Sequence, residues 1–252
     1  DFCLSRGLGD VYKRQDKTPL PAAPGRGDGS GEVDQFLRDL ARAPAARPAG
    51  GRGRLLFALD ATASREPSWD RACRIQGEMF EATAGLGGLD VKLVFYRGFN
   101  ECKASRWMAS AAELHRAMRS VSCLGGETQI ERVLDHALAE TRQLRVNALV
   151  FVGDAMEEKV DRLCRRAGEL GLLGVPVFLF HEGVDPVAAA AFRQMAKLSR
   201  GAYLSFDQAS ADRLKELLAA VAVYAAGGYR ALSAYGRRKG GEVLRLSAQL
   251  RD

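Results

Sequence analysis

From Arg54 onward the chain switches repeatedly between two hydrophobic rhythms. Leu55 to Leu59 is an unbroken apolar run of strand length, as expected of a strand buried on both faces of a parallel sheet. Ser68 to Ala84 then predicts a helix, with Pro67 suited to its first turn and Gly85, Gly87 and Gly88 ending it. Leu89 to Tyr96 reads as a second strand, Phe99 to Trp107 as an edge strand, and Ser110 to Ser120 as a short helix. Gly125-Gly126 open a loop before a helix that carries Ile130, Val133, Leu134, Ala137 and Leu138 on one face. Two more strands, Asn147 to Gly153 and Val175 to Phe180, alternate with helices bearing Val160, Leu163, Ala167 and Leu170, and then Val187, Ala191, Met195 and Leu198. Ala202 to Phe206 is the last central strand and Ala211 to Ala226 the last long helix. This series predicts an α/β fold: a doubly wound, mostly parallel central sheet of Rossmann-like type, with helices on both faces and right-handed crossovers.

The pattern is absent at both ends, which divides the chain into a linker segment at 1–53, a domain at 54–226 and an extension at 227–252. Asp1 to Gln15 lacks periodicity and resembles a spurious translation found at the ends of assembled sequences, so it is set aside. Pro19 to Gly31 and Pro44 to Gly53 have linker composition. Arg26-Gly27-Asp28 resembles an integrin-binding tripeptide, and its Gly-rich setting makes coincidence the better reading. Between the linkers, Val33, Phe36, Leu37 and Leu40 predict a short amphipathic helix within 32–43. Past Gly227-Gly228 the rhythm loosens. Tyr229 to Tyr235 is compatible with helix, Arg237-Arg238-Lys239 reads as a basic turn and Glu242 to Leu250 as a strand. The chain stops at Asp252 without a cap, as a fragment would.

Composition narrows the class only modestly. The 252 residues suit one substantial core. No apolar run approaches the roughly 18 residues of a membrane span, so no membrane association is expected. The net charge of +6 is scattered among acids, a solvated surface rather than a nucleic-acid footprint. Five cysteines, odd in number, widely spaced and without a Cys-x-x-Cys pair, fit neither a disulfide framework nor a zinc site. A reducing, cytoplasmic setting is expected.

The candidate chemistry begins where the first strand ends. Asp60, Thr62 and Ser64 place one carboxylate and two hydroxyls on alternate positions. Such oxygens are hard ligands suited to Mg²⁺ or Ca²⁺, and the carboxyl end of a strand is where open α/β sheets bind ligands. Simpler roles exist: Ser64 as a helix cap, Asp60 as a polar strand end. The pattern resembles the metal-ion-dependent adhesion site of von Willebrand factor A domains, whose signature is Asp-x-Ser-x-Ser. Thr128 resembles the lone threonine of that site's second loop, and Asp154 the aspartate of its third. Met195-Ala196-Lys197-Leu198-Ser199-Arg200-Gly201-Ala202-Tyr203 resembles the family's Leu-Ala-x-x-Thr-Gly-Gly-x-Tyr, with Arg200 in place of one glycine. Capping explains two of these residues as well, because Thr128 with Glu131, and Asp154 with Glu157, have capping-box spacing.

The resemblance covers residues 54 to 226 and implies that the first and fourth strands lie side by side. It implies Thr62, Ser64 and Thr128 as hydroxyl ligands of Mg²⁺ (Mn²⁺ or Ca²⁺ as substitutes), with Asp60 and Asp154 reaching the ion directly or through water. A partner protein would offer Asp or Glu to the remaining position, and a separately encoded ATPase or chaperone-type protein is one such partner. No catalytic set is visible: P-loop and Gly-x-Ser-x-Gly motifs are absent. Two other readings stay open, a Mg²⁺-assisted phosphoryl hydrolase with Asp60 as nucleophile and a weak nucleic-acid binder. His115 and His136 fall on helices, and His181 ends a strand at the binding edge, beside Glu182, where it could meet a partner.

Overall fold

Strand β1 (Gly53–Asp60) is the axis of the molecule, and every residue from Leu55 to Asp60 is buried. The computed structural model describes residues 52–206 and 211–239. The helix expected within 32–43, the linkers and the strand expected at Glu242 to Leu250 lie outside the described residues. β2 (Leu89–Arg97), β3 (Glu101–Ala104), β4 (Ala148–Gly153), β5 (Val177–Glu182) and β6 (Ala202–Phe206) complete one sheet of order β3-β2-β1-β4-β5-β6. All neighbours are parallel except β2 and β3. The mixed, mostly parallel α/β architecture read from the sequence is therefore the one observed.

Alternation along β1 sorts its side chains into two cores. Leu55, Phe57 and Leu59 face helices α1 (Glu66–Ile75), α2 (Gly77–Thr83), α3 (Ala111–Arg119) and α7 (Ala211–Lys239). Leu56 and Ala58 face α4 (Ile130–Gln143), α5 (Val160–Leu172) and α6 (Pro186–Ser199). Burial of this kind contributes about 25 cal/mol per Å² of apolar surface, and the two faces share the load.

Three elements differ from expectation. The helix expected over Ser68 to Ala84 starts at Glu66 and divides at Gln76, ahead of Gly77, where the missing side chain weakens helix propagation. Edge strand β3 keeps only Glu101 to Ala104 of the expected run. Helix α7 continues past Gly227-Gly228 to Lys239, bending at Gly228, whose φ of 68° favours glycine. Arg237 to Lys239 are thus helical rather than a turn, and Leu232 returns to the core. Within α7, Leu214–Arg238 has the length and apolarity of a membrane span, unlike the reading from apolar runs. Its most apolar window is 67% buried in the protein, so packing accounts for its character.

Candidate metal centre at the carboxyl edge of the sheet

After β1 the chain turns to one side of the sheet, and after β4 it turns to the other. β1 and β4 pair in parallel, Leu59 beside Val152, and the reversal between them opens a crevice at their carboxyl ends. Asp60, the last residue of β1, is only 3% exposed. Its Oδ1 accepts the backbone N–H of Thr62 at 2.7 Å, which pins the turn that follows. Its Oδ2 is buried with no hydrogen-bond partner. Burial raises the Asp60 pKa, against the Thr62 N–H and with help from the charge of Asp154. Tyr96, opposite Asp60 in register, also buries its hydroxyl without a partner. Burial first, then the charge of Asp60, lifts the Tyr96 phenol well above its usual pKa. The two groups feel each other's charge, and the Tyr96 hydroxyl lies near enough to Asp60 to favour its carboxylate, without completing a hydrogen bond to it.

From Asp60 the donor set extends outward. Thr62 Oγ1 lies 3.4 Å from Ser64 Oγ, and Ser64 Oγ donates to Asp154 Oδ2 at 3.3 Å. These four residues, predicted from the sequence, therefore meet across the crevice. Thr128 is placed differently. It has no hydrogen bond to the other four among the described residues, and joins the loop of Asp154 instead. Thr128 Oγ1 accepts from the Glu157 N–H at 3.0 Å, while the Thr128 N–H donates to Glu157 Oε2 at 2.9 Å.

The simple capping roles are not the ones observed. Helix α1 follows Arg65, and no side chain caps it. Helix α4 follows Gln129 without a local cap, and the predicted Thr128–Glu131 box does not form. Glu158 caps α4 from the next loop, accepting from Ile130 N at 2.9 Å and Glu131 N at 2.8 Å. Helix α5 follows Lys159, well past Asp154. Neither Ser64 nor Asp154 therefore caps a helix, and the two bond to each other.

Residues outside the predicted ligand set complete the surroundings. His181 is fully buried and unavailable to a partner. Its Nε2 donates to the Asp154 carbonyl at 3.1 Å, and its Nδ1 accepts from Tyr203 at 3.0 Å; a carbonyl only accepts, which assigns the tautomer. Burial lowers its pKa, and the neutral ring holds the Asp154 backbone in place. Arg65, 4% exposed, reaches Glu182 Oε2 at 2.7 Å and Asp154 Oδ2 at 3.8 Å. Ser68 also donates to Glu182 Oε2, and Arg71 lies 3.9 Å from Oε1. On the second loop, Gly126 presses against the backbone of Gly98, leaving no room for a Cβ. The Leu124 N–H donates to the Ala61 carbonyl at 3.0 Å.

A buried carboxylate oxygen without a donor is costly, and a cation is its natural complement. Two carboxylates with neighbouring hydroxyls form a hard oxygen set, so the residues present fit Mg²⁺ or a similar ion. Among the described residues no group of three or more His, Cys, Asp or Glu could hold a metal, so an ion here would depend on the hydroxyls.

No protein-family model matches the sequence, and no curated protein matches it. Solved structures do. The SpRpn10 VWA domain matches with a TM-score of 0.53 at 13% identity, over 68% of this chain and 95% of that one. The vWF domain of the type V pili tip protein Mfa5 from Porphyromonas gingivalis matches at 0.52 and 9% identity, over 66% and 94%. Proximal thread matrix protein 1 from the mussel byssus, solved with a zinc-occupied MIDAS motif, matches at 0.52 and 16% identity. That match spans 68% of this chain and 45% of the mussel chain. The fold is that of the von Willebrand factor A domain.

Proposed function

We propose that this domain is a divalent-metal-dependent protein-interaction module. Asp60, Thr62, Ser64, Thr128 and Asp154 hold Mg²⁺, and the ion bridges to a carboxylate on a partner protein. The observation that carries the reading is the unpartnered, buried Oδ2 of Asp60 beside a second carboxylate and two hydroxyls. Thr128, on the second loop, joins the set through its hydrogen bonds to Glu157 on the loop of Asp154. When bound, the ion supplies an open coordination position for an acidic side chain. The chain's own residues do the rest: Asp60 and Asp154 give charge, the hydroxyls neutral oxygens, and His181 fixes Asp154. The zinc in the mussel protein's MIDAS motif supports a divalent ion and adds zinc to the ions worth testing.

The rim of the crevice suits a protein ligand. Leu124, bonded through its backbone to Ala61, is 46% exposed, and Phe99, beside Gly98, is 70% exposed. An acidic residue flanked by an apolar one meets both features, and exposed aromatics often act as interface anchors.

Thermal melting with Mg²⁺, Mn²⁺ and Zn²⁺ tests the reading. A ligand at a hundred times its Kd stabilises by about 2.7 kcal/mol, which for a domain of this size is a rise of roughly 5–10 °C. Asp60→Ala and Asp154→Ala are expected to remove the rise. A rise that survives in both variants places the ion elsewhere.

A further inference from the structure

The proposed site already contains a cation of its own. Arg65 directly follows Ser64, and its guanidinium lies 3.8 Å from Asp154 Oδ2, the oxygen that also accepts from Ser64. It is not a solvated surface charge, being 4% exposed, and its Nε is buried without a partner. Its closer partner is Glu182, at 2.7 Å and 5% exposed. Glu182 ends β5, two strands from β1, and also gathers Ser68 and Arg71. Charge therefore alternates in a line: Asp154 negative, Arg65 positive, Glu182 negative, Arg71 positive. One end of that line is a proposed metal ligand, its middle members Arg65 and Glu182 are buried, and Arg71 at the other end is partly exposed.

We infer that Arg65 is a built-in competitor of the metal ion for Asp154, and that Glu182 sets the strength of the competition. The inference rests on the proposed metal site. A guanidinium beside Asp154 does two opposing things. It relieves repulsion between Asp154 and Asp60 when no ion is bound, and it repels a dication that approaches the same oxygen. Both interactions lie within a Debye length and are partly shielded from water, so salt screens them weakly. Glu182 draws the guanidinium the other way, through the shorter contact. The balance weakens ion binding in the free domain, so that a partner's carboxylate adds the charge that favours ion retention. Arg65 is thus a specificity-determining residue that acts through Asp154 and is not itself a ligand.

Purely structural roles and this one predict opposite signs at Arg65. If Arg65 and Glu182 only support the loop, removing either weakens ion binding. If they compete as inferred, Arg65→Met, which keeps the apolar stem, tightens Mn²⁺ binding about tenfold. Glu182→Gln leaves the arginine's charge uncompensated and weakens binding several-fold. Titration calorimetry with MnCl₂ on the full chain reads both, with melting temperatures of the ion-free proteins alongside. Arg65→Met leaves Glu182 buried without its closest partner and is expected to melt lower without ion. The double variant Arg65→Met, Glu182→Gln removes both charges together, so it decides the matter where the single variant is too unstable. It is expected to bind Mn²⁺ more tightly than the wild type. Equal or weaker binding by a folded Arg65→Met or double variant overturns the inference, as does Glu182→Gln binding more tightly. Wild-type protein that binds no Mn²⁺, or binds it as well after Asp60→Ala, overturns the metal site itself. That result is separate, being read on the wild type and Asp60→Ala alone.

Discussion

At the scale of single residues, the edge of the sheet trades stability for readiness to bind. The unpartnered Oδ2 of Asp60 disfavours the ion-free fold. Asp60→Asn keeps the acceptor for Thr62 N–H and removes the buried charge. It is expected to raise the ion-free melting temperature while abolishing the Mg²⁺-induced rise, as calorimetric scans would show. Away from the site, His136 has its pKa lowered by burial, partly offset by Glu140 and reinforced by Lys92. A lowered histidine pKa means that the unfolded chain binds the proton better. The neutral ring's contribution is therefore complete above about pH 6.5 and shrinks as pH falls toward the folded-state pKa. The stability difference between wild type and His136→Gln should accordingly move against the wild type from pH 7.5 to pH 5, measured by urea unfolding. Cys73, pushed up to about 11 chiefly by burial, should resist iodoacetamide at pH 8, read by peptide mass spectrometry.

At the scale of elements, what was legible in the sequence followed from burial. β1, β4 and β5 lie inside the sheet and carry continuous apolar runs, so pattern alone found them. β3 is an edge strand of four residues with mixed exposure, and its true length left little trace. The tail of α7 was obscured because Gly227-Gly228 reads locally as a stop, although Leu232 packs back into the core. Asp60, Thr62 and Ser64 were legible because ligands spaced two apart in one loop form a local pattern. The Arg65–Glu182 pair was not, since its members stand 117 residues apart and neither belongs to a motif. Glu157 had a local capping interpretation with Asp154 that the structure redirects to Thr128, and Glu158, which carried no signal in the sequence, caps α4 from another loop. Glu158→Ala removes both acceptors at the start of α4 and should cost about 1–3 kcal/mol in urea unfolding. Gly126→Ala forces the second loop away from Gly98. It is expected to cost about 1–3 kcal/mol and to shrink the metal-induced rise in melting temperature.

At the scale of the whole molecule, the sheet divides labour between faces and edges. Its faces carry the two cores, while the carboxyl edge between β1 and β4 gathers the polar groups. Truncation after Ala226 tests the extent of the cooperative unit: losing Leu232 and its neighbours should lower the melting temperature measurably, because a buried Leu contributes about 1.5–3 kcal/mol. The reciprocal hydrogen bonds of Thr128 and Glu157, with Glu158 gripping the start of α4, have a mechanical consequence. They tie the second and third loops into one unit, which meets the first loop at Leu124 with Ala61 and at Asp154 with Ser64. An ion held between Asp60 and Asp154 would then tighten a set of loops already laced together, rather than order three separate ones.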